Sequence, residues 1–220
     1  MAYTYRPARP ADLLAVARIF TAAFPETMTH YFDLPPGGLP HLSPDRNRIL
    51  QMVAEPFRLC LKSEPDAFLV ADGEKEGVVG YIFAPAHTNR LWRVALCHGF
   101  LFRWFWRWVT GRYGIGLSPV RALAVNKLDF LTSSHNREKG PSVQARILSI
   151  AVHPEHQGQG IATALCRRGL ARLDSLGVRP VRLEVRPENL PAVRLYTGLE
   201  FRQVGETADS QGTWLIMLRG

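Results

Sequence analysis

Gln157-Gly158-Gln159-Gly160-Ile161-Ala162 follows an apolar run, Ile147-Leu148-Ser149-Ile150-Ala151-Val152. The order reads as a strand passing through a glycine-bearing turn directly into a helix. The first amides of a helix have no internal acceptors and the helix dipole is positive there, so such a turn presents donors to an anion. Gly160 permits close backbone approach, and Ala162 keeps the first helical turn small enough for phosphates to lie on it. No Gly-Lys-Ser/Thr follows, so this is not a nucleotide P-loop, and the glycine spacing fails the dinucleotide fingerprint. On these residues alone a plain tight turn stays open.

Two other places could carry chemistry. Asn189 and Tyr196 are seven residues apart, two helical turns, and so share a face. Glu184 lies on the polar side of an alternating run, Val181 to Val185, with Arg182 and Arg186 two places to either side. Flanking cations stabilise a carboxylate and weaken it as a base, so a surface salt bridge is the competing reading of Glu184.

The elements that position these residues follow from periodicity. Tyr3 to Arg6 is a short strand, and Ala8 to Asp12 opens a helix with Leu13, Val16, Ala17, Ile19 and Phe20 at helical spacing. Pro35-Pro36-Gly37-Gly38 breaks the chain before a second helix over about 45–61, with Ser43 as its cap. Ala67 to Ala71 and Val78 to Phe83 form a hairpin across Asp72-Gly73. Arg146 to Val152 is a strand, and Ile161 to Leu176 a helix with Ile161, Leu165, Leu173 and Leu176 on one face and Gly177 as its stop. Asn189 caps a helix to about Gly198, with Pro191 in its first turn. Phe201 to Glu206 and Thr213 to Leu218 are the last strands. The fold class is mixed α/β, with helices on both faces of the sheet.

The chain of 220 residues, 46% hydrophobic, can bury one full core. It has no run of about 20 uncharged apolar residues and no signal-peptide core at Met1 to Pro7. Cys60, Cys97 and Cys166 have no CxxC spacing and read as buried, reduced thiols, which suits a cytoplasmic protein. The histidines, including His153 and His156, lack metal-ligand spacing, so no metal is expected. Of the net charge of +8, much lies between Glu76 and Asp129, where seven basic residues meet no acidic one. Such a field attracts phosphates, acidic substrates or anionic surfaces.

With these elements in order, the chain resembles the GNAT superfamily of acyl-CoA-dependent N-acyltransferases. Gln157, Gly160 and Ala162 fit its Arg/Gln-x-x-Gly-x-Gly/Ala signature, and Ile150 to Pro154 fit the family's fourth strand and its exit. Leu183 to Asn189 and Leu195 to Phe201 resemble the end of the fifth strand and the helix after it. The local likeness there is strongest to the bacterial ribosomal-protein alanine acetyltransferases.

The resemblance implies a mostly antiparallel sheet of about seven strands, splayed between the fourth and fifth. It implies acetyl-CoA in that split, its pyrophosphate on the backbone of Gln157, Gly158, Gln159, Gly160, Ile161 and Ala162. The pantetheine would pair with Ile150, Ala151 and Val152. It also implies that Asn189 contacts the cofactor, that Tyr196 protonates the departing thiolate and that Glu184 deprotonates the attacking amine. Tyr196 as a packing aromatic and Asn189 as a simple cap stay open. Glu200 stands where the family has glycine before the phenylalanine, so that turn is expected to be rebuilt. Thr207 to Gly212 lack the tyrosine-rich loop of the ribosomal enzymes, so their protein substrate is not carried over.

One domain over 1–220 is thus expected, with a helical insertion at about 86–144. Asn89 to Arg112 packs Trp92, Phe100, Trp104, Trp106 and Trp108 among arginines. It can be a packed insert or homodimer contact, an acceptor-site lining or a membrane-surface helix; nucleic acid is disfavoured. The function expected is acetyl transfer from acetyl-CoA to the primary amine of a small molecule or peptide. A catalytically silent CoA-binding module and a membrane-associated acyltransferase are the alternatives.

Overall fold

The computed structural model describes residues 2–32, 46–97, 143–209 and 212–220. Strand β1 (Tyr3–Pro7) pairs with β2 (Phe68–Gly73), and β2 with β3 (Gly77–Phe83), all antiparallel. The segment read as one strand from Arg146 to Val152 is interrupted. Its first part, β4 (Ala145–Arg146), runs parallel to β6 (Val181–Val185); its second, β5 (Ser149–Val152), is antiparallel to β3.

The break has a visible cause in the hydrogen bonds. Ile147 N–H donates to the Arg182 carbonyl at 2.9 Å, whereas the next amide, Leu148, donates to Phe83 at 3.0 Å. The chain therefore changes partners at this point and carries one sheet, β1-β2-β3-β5, into a second, β4-β6-β8-β7. In the second, β8 (Gly212–Arg219) lies between β6 and β7 (Arg202–Asp209), antiparallel to both. Counting β4 and β5 as the single strand they interrupt, the sheet has the expected seven.

Helices α1 (Leu13–Ala23) and α3 (Arg46–Ser63) cover one face of the first sheet. Leu13, Val16, Ala17 and Ile19 pack with Phe57, Phe68, Val70, Tyr81, Phe83 and Ala151. Helix α5 (Ile161–Ser175) covers the opposite face, where Ile161, Leu165, Cys166, Leu170 and Leu173 meet Ile82, Val152, Leu183 and Val185. Each fully buried aliphatic side chain of this kind contributes about 1.5–3 kcal/mol relative to exposure. Gly169 lets α5 sit low on β3, since a Cβ there would meet Ile82 Cδ1 at 3.3 Å and Ala84 Cβ at 3.4 Å.

Several expectations change. A helix not foreseen, α2 (Pro25–Phe32), follows α1, because Pro25 is tolerated in a first helical turn. Helix α4 (Asn89–Cys97) opens the segment expected to be helical to Thr110; Phe100, Trp104, Trp106, Trp108 and Ser43 lie outside the described residues. Leu176 is 54% exposed rather than on the buried face, because it caps α5 just before Gly177 turns the chain at φ 67°. Cys97 is exposed, unlike Cys60 and Cys166, whose thiols burial pushes up to about 12.

The turn before Phe201, expected to be rebuilt, is closed by the backbone. Glu200 adopts the left-handed backbone, φ 69°, that glycine would take, and Phe201 N–H still closes onto the Tyr196 carbonyl at 3.0 Å.

Candidate active site

After β5 a short 3-10 turn (Pro154–His156) leads to Gly158 at φ 76° and Gly160 at φ 77°. A Cβ at either would meet nothing within 4 Å, so the backbone conformation requires glycine and the space before it is open. Gly160 caps α5 without any side-chain bond. The first helical bond runs from Ala164 N–H to Gly160 O at 3.0 Å, leaving the amides of Ile161, Ala162 and Thr163 without acceptors in the helix. Three convergent donors at the positive end of a helix of 15 residues suit a phosphate-type anion.

Side chains hold this turn from behind. Gln157 Nε2 donates to the Val152 carbonyl at 3.0 Å. The Tyr3 hydroxyl donates to Gln159 Oε1 at 2.8 Å and lies 3.3 Å from His156 Nδ1. Tyr3 was not anticipated; its only signal is a phenol at the start of a strand whose place beside the turn depends on sheet order.

The strand edge beside the turn is open. In an antiparallel ladder alternate residues bond the same neighbour. His153 N–H bonds the Val79 carbonyl at 2.8 Å, so the backbone groups of Ile150 and Val152 face away from β3, toward β6. Beyond the contact of Ile147 with Arg182 no ladder joins β5 to β6. Ala151 packs toward α1 and α3, while Val152 packs under α5.

Helix α6 (Leu190–Thr197) supplies the predicted pair, and their environments differ. Tyr196 is buried, in one cluster with Val152, Ile161, Leu183 and Val185, residues from both sides of the split. Burial, with a smaller contribution from the neighbouring Cys166, holds its phenol well above the ordinary tyrosine value. It is therefore protonated at neutral pH. Asn189 is exposed, and its Oδ1 accepts from Ala192 N–H at 3.2 Å, the cap expected of it.

Glu184 is paired with one of the two flanking arginines that the sequence suggested and with a third from another strand. Its Oε1 accepts from Arg182 Nη2 at 2.8 Å and lies 3.5 Å from Nη1 of Arg146 on β4. Arg186 does not flank it; that guanidinium stacks over the Trp214 ring, 4.2 Å from its centroid, and donates to Thr213 O. Arg182 itself is 3% exposed, although alternation had placed it on an outward polar face. Alternation assigns a side of the strand and says nothing about what covers that side.

His153, Glu155 and His156 bring their ligand atoms within 4.8 Å of one another. Sequence spacing did not anticipate this grouping, which a 3-10 turn creates by folding three consecutive-turn residues together. All three are solvent-accessible, and His153 Nδ1 lies 3.7 Å from Glu155 Oε2.

The chain belongs to the acetyltransferase (GNAT) family, whose sequence model matches residues 27–201. Among curated relatives, the mycothiol acetyltransferase of Actinosynnema mirum is 39% identical over 79 residues, 36% of this chain and 27% of that one. The ribosomal protein bS18-alanine N-acetyltransferase of Escherichia coli K12 is 38% identical over 60 residues, 27% of this chain and 40% of that one. The chain thus spans well under half the length of these relatives. The solved structure of SsHAT aligns over 100% of this chain and 98% of its own, with a TM-score of 0.64 at 23% identity, a likeness of fold. No helix among the described residues is long and apolar enough to cross a membrane.

Proposed function

We propose that this chain is an acetyl-CoA-dependent N-acetyltransferase acting on a primary amine by direct attack in a ternary complex. One observation carries the reading. The unpartnered amides of Ile161, Ala162 and Thr163 stand at the mouth of the split between β5 and β6, and the protonated Tyr196 phenol is buried among residues that line it. The donors fit the cofactor's pyrophosphate, and the edge of β5 that faces β6, with the backbone of Ile150 and the N–H of Val152 turned away from β3, fits the amide groups of its pantetheine arm, the Val152 carbonyl being already engaged by Gln157. Residues 86–144 are then an insertion into this one domain.

In the reaction the amine nitrogen attacks the thioester carbonyl carbon, the carbon–sulfur bond breaks, and an amide and free CoA thiol form. Backbone amides at the β5 edge polarise the carbonyl. The amine must lose a proton to attack, and in this reading Glu184 takes it, directly or through water, and passes it to solvent; the second N–H proton leaves to solvent once the carbon–nitrogen bond has formed. Tyr196 gives a proton to the departing thiolate and regains one from solvent.

CoA thiol release over a panel of primary amines tests this reading. The expected result is amine-dependent release with stoichiometric acetylation of the amine. Tight acetyl-CoA binding with no acetylation of any amine would instead favour a silent CoA-binding module.

A further inference from the structure

Register places a second set of groups around Glu184. Arg182 lies opposite Leu218, and Glu184 opposite Ile216, so these four share one face of the second sheet. The other face, with Leu183, Val185, Leu215 and Met217, packs toward α5. Arg146 is the direct parallel partner of Arg182, which sets two guanidiniums side by side on neighbouring strands.

Like charges in register destabilise a sheet unless an anion lies between them. Here a single carboxylate, Glu184, serves both, at 2.8 Å and 3.5 Å. It does not satisfy Arg182, whose Nε and Nη1 are buried without a hydrogen-bond partner among the described residues. Farther along the same face Trp214 Nε1 is likewise buried and unpartnered, beneath the Arg186 guanidinium. A buried donor left unpaired is costly, and more so when it is charged. The orphaned groups are all donors, around a centre with three cations and one anion. What they lack is an acceptor carrying negative charge.

We infer that the acceptor amine carries an anionic group, a carboxylate or a phosphate, a short distance from its nitrogen, and that Arg182 with Arg146 receives it. This rests on the acetyltransferase reading above. The amine faces Glu184 and the anion lies against the guanidinium next to it, so Arg182 sets specificity at the acceptor end. The positive field of the chain draws such a substrate in.

The test compares matched acceptors in the CoA-release assay: a panel of amino acids, each against its carboxamide, and O-phosphoethanolamine against ethanolamine. The native protein is expected to favour the anionic member of the preferred pair by roughly tenfold or more in kcat/KM. The amino-acid and phosphate arms identify the source of the anion. Arg182→Gln is expected to bring that ratio close to one, chiefly through KM, and Arg182→Lys to restore part of it. Acetyl-CoA affinity reports whether the variants are folded. If they are not, propionate and inorganic phosphate with the native protein serve instead, and are expected to inhibit competitively with the acceptor but not with acetyl-CoA. Equal use of neutral and anionic amines, or inhibition by neither anion, overturns the inference and leaves the acetyltransferase reading standing. Acetylation of no amine at all overturns both.

Discussion

Gln157 reaches back from the turn it opens and donates to the carbonyl of Val152, the last residue of β5, at 3.0 Å. The bond locks the strand edge to the start of the α5 amide cradle, so the two parts of the proposed cofactor site are fixed relative to each other. A hydrogen bond of this type is worth about 0.5–1.5 kcal/mol. Gln157→Ala is therefore expected to weaken acetyl-CoA binding by roughly 2–10-fold, measured by calorimetry, with the fold retained. Gly160→Val should do more, because a β-branched residue resists φ 77° and its side chain enters the open space before the amides.

Glu200 sits in a conformation that costs an L-residue about 1–2 kcal/mol, part of which glycine would give back through its greater freedom when unfolded. Its carboxylate is exposed and only 3.7 Å from Arg219, a contact of little weight. Glu200→Gly should therefore stabilise the protein by about 0.5–1 kcal/mol, raising Tm by about 1–4 °C in a thermal melt. An unchanged or lower Tm would mean that the turn is held by something other than its backbone angle.

At the start of the chain Arg6 bridges Asp12 and Asp72, both at 2.7 Å. Burial alone would raise the Asp12 carboxyl, but hydrogen bonds from Arg6 and from Arg9 N–H outweigh it and hold it below the usual carboxylate range. A depressed carboxyl contributes its stability above the unfolded value, about 3.9, and loses it as pH falls through the folded value. Arg6→Met is expected to cost about 2–4 kcal/mol at pH 7 in urea unfolding. The gap between variant and native protein should narrow below pH 4. A gap independent of pH would remove the ion pair as its cause.

Much of the fold and of the local geometry at the proposed cofactor site was legible in sequence, because each rests on local chemistry. Two glycines before a helix, the Asn189 cap and the alternation of Val181, Leu183 and Val185 are set by a few neighbouring residues. What was not legible depends on sheet order and cover. Tyr3 braces the turn from more than 150 residues away, and β4 and β5 separate because each finds a different neighbour. Arg182 is buried by its surroundings, which its own strand does not report. The left-handed backbone of Glu200 was not legible from its residue type, since the contact of Tyr196 with Phe201 across the turn closes it. The proposed acceptor end is the least legible, since its donors come from three strands and most of the segment at 86–144, for which an acceptor lining was one reading, lies outside the described residues.

Tyr196→Phe tests the account most directly. The ring, with its edge-to-face packing on Phe201 at 5.9 Å between centroids, is preserved and only the hydroxyl is removed. Acetyl-CoA affinity should stay within about threefold of native while kcat falls by roughly 10²–10⁴, the worth of a positioned general acid. Native turnover in the variant at neutral pH, with native acetyl-CoA binding, would contradict the role of Tyr196 and the mechanism built on it.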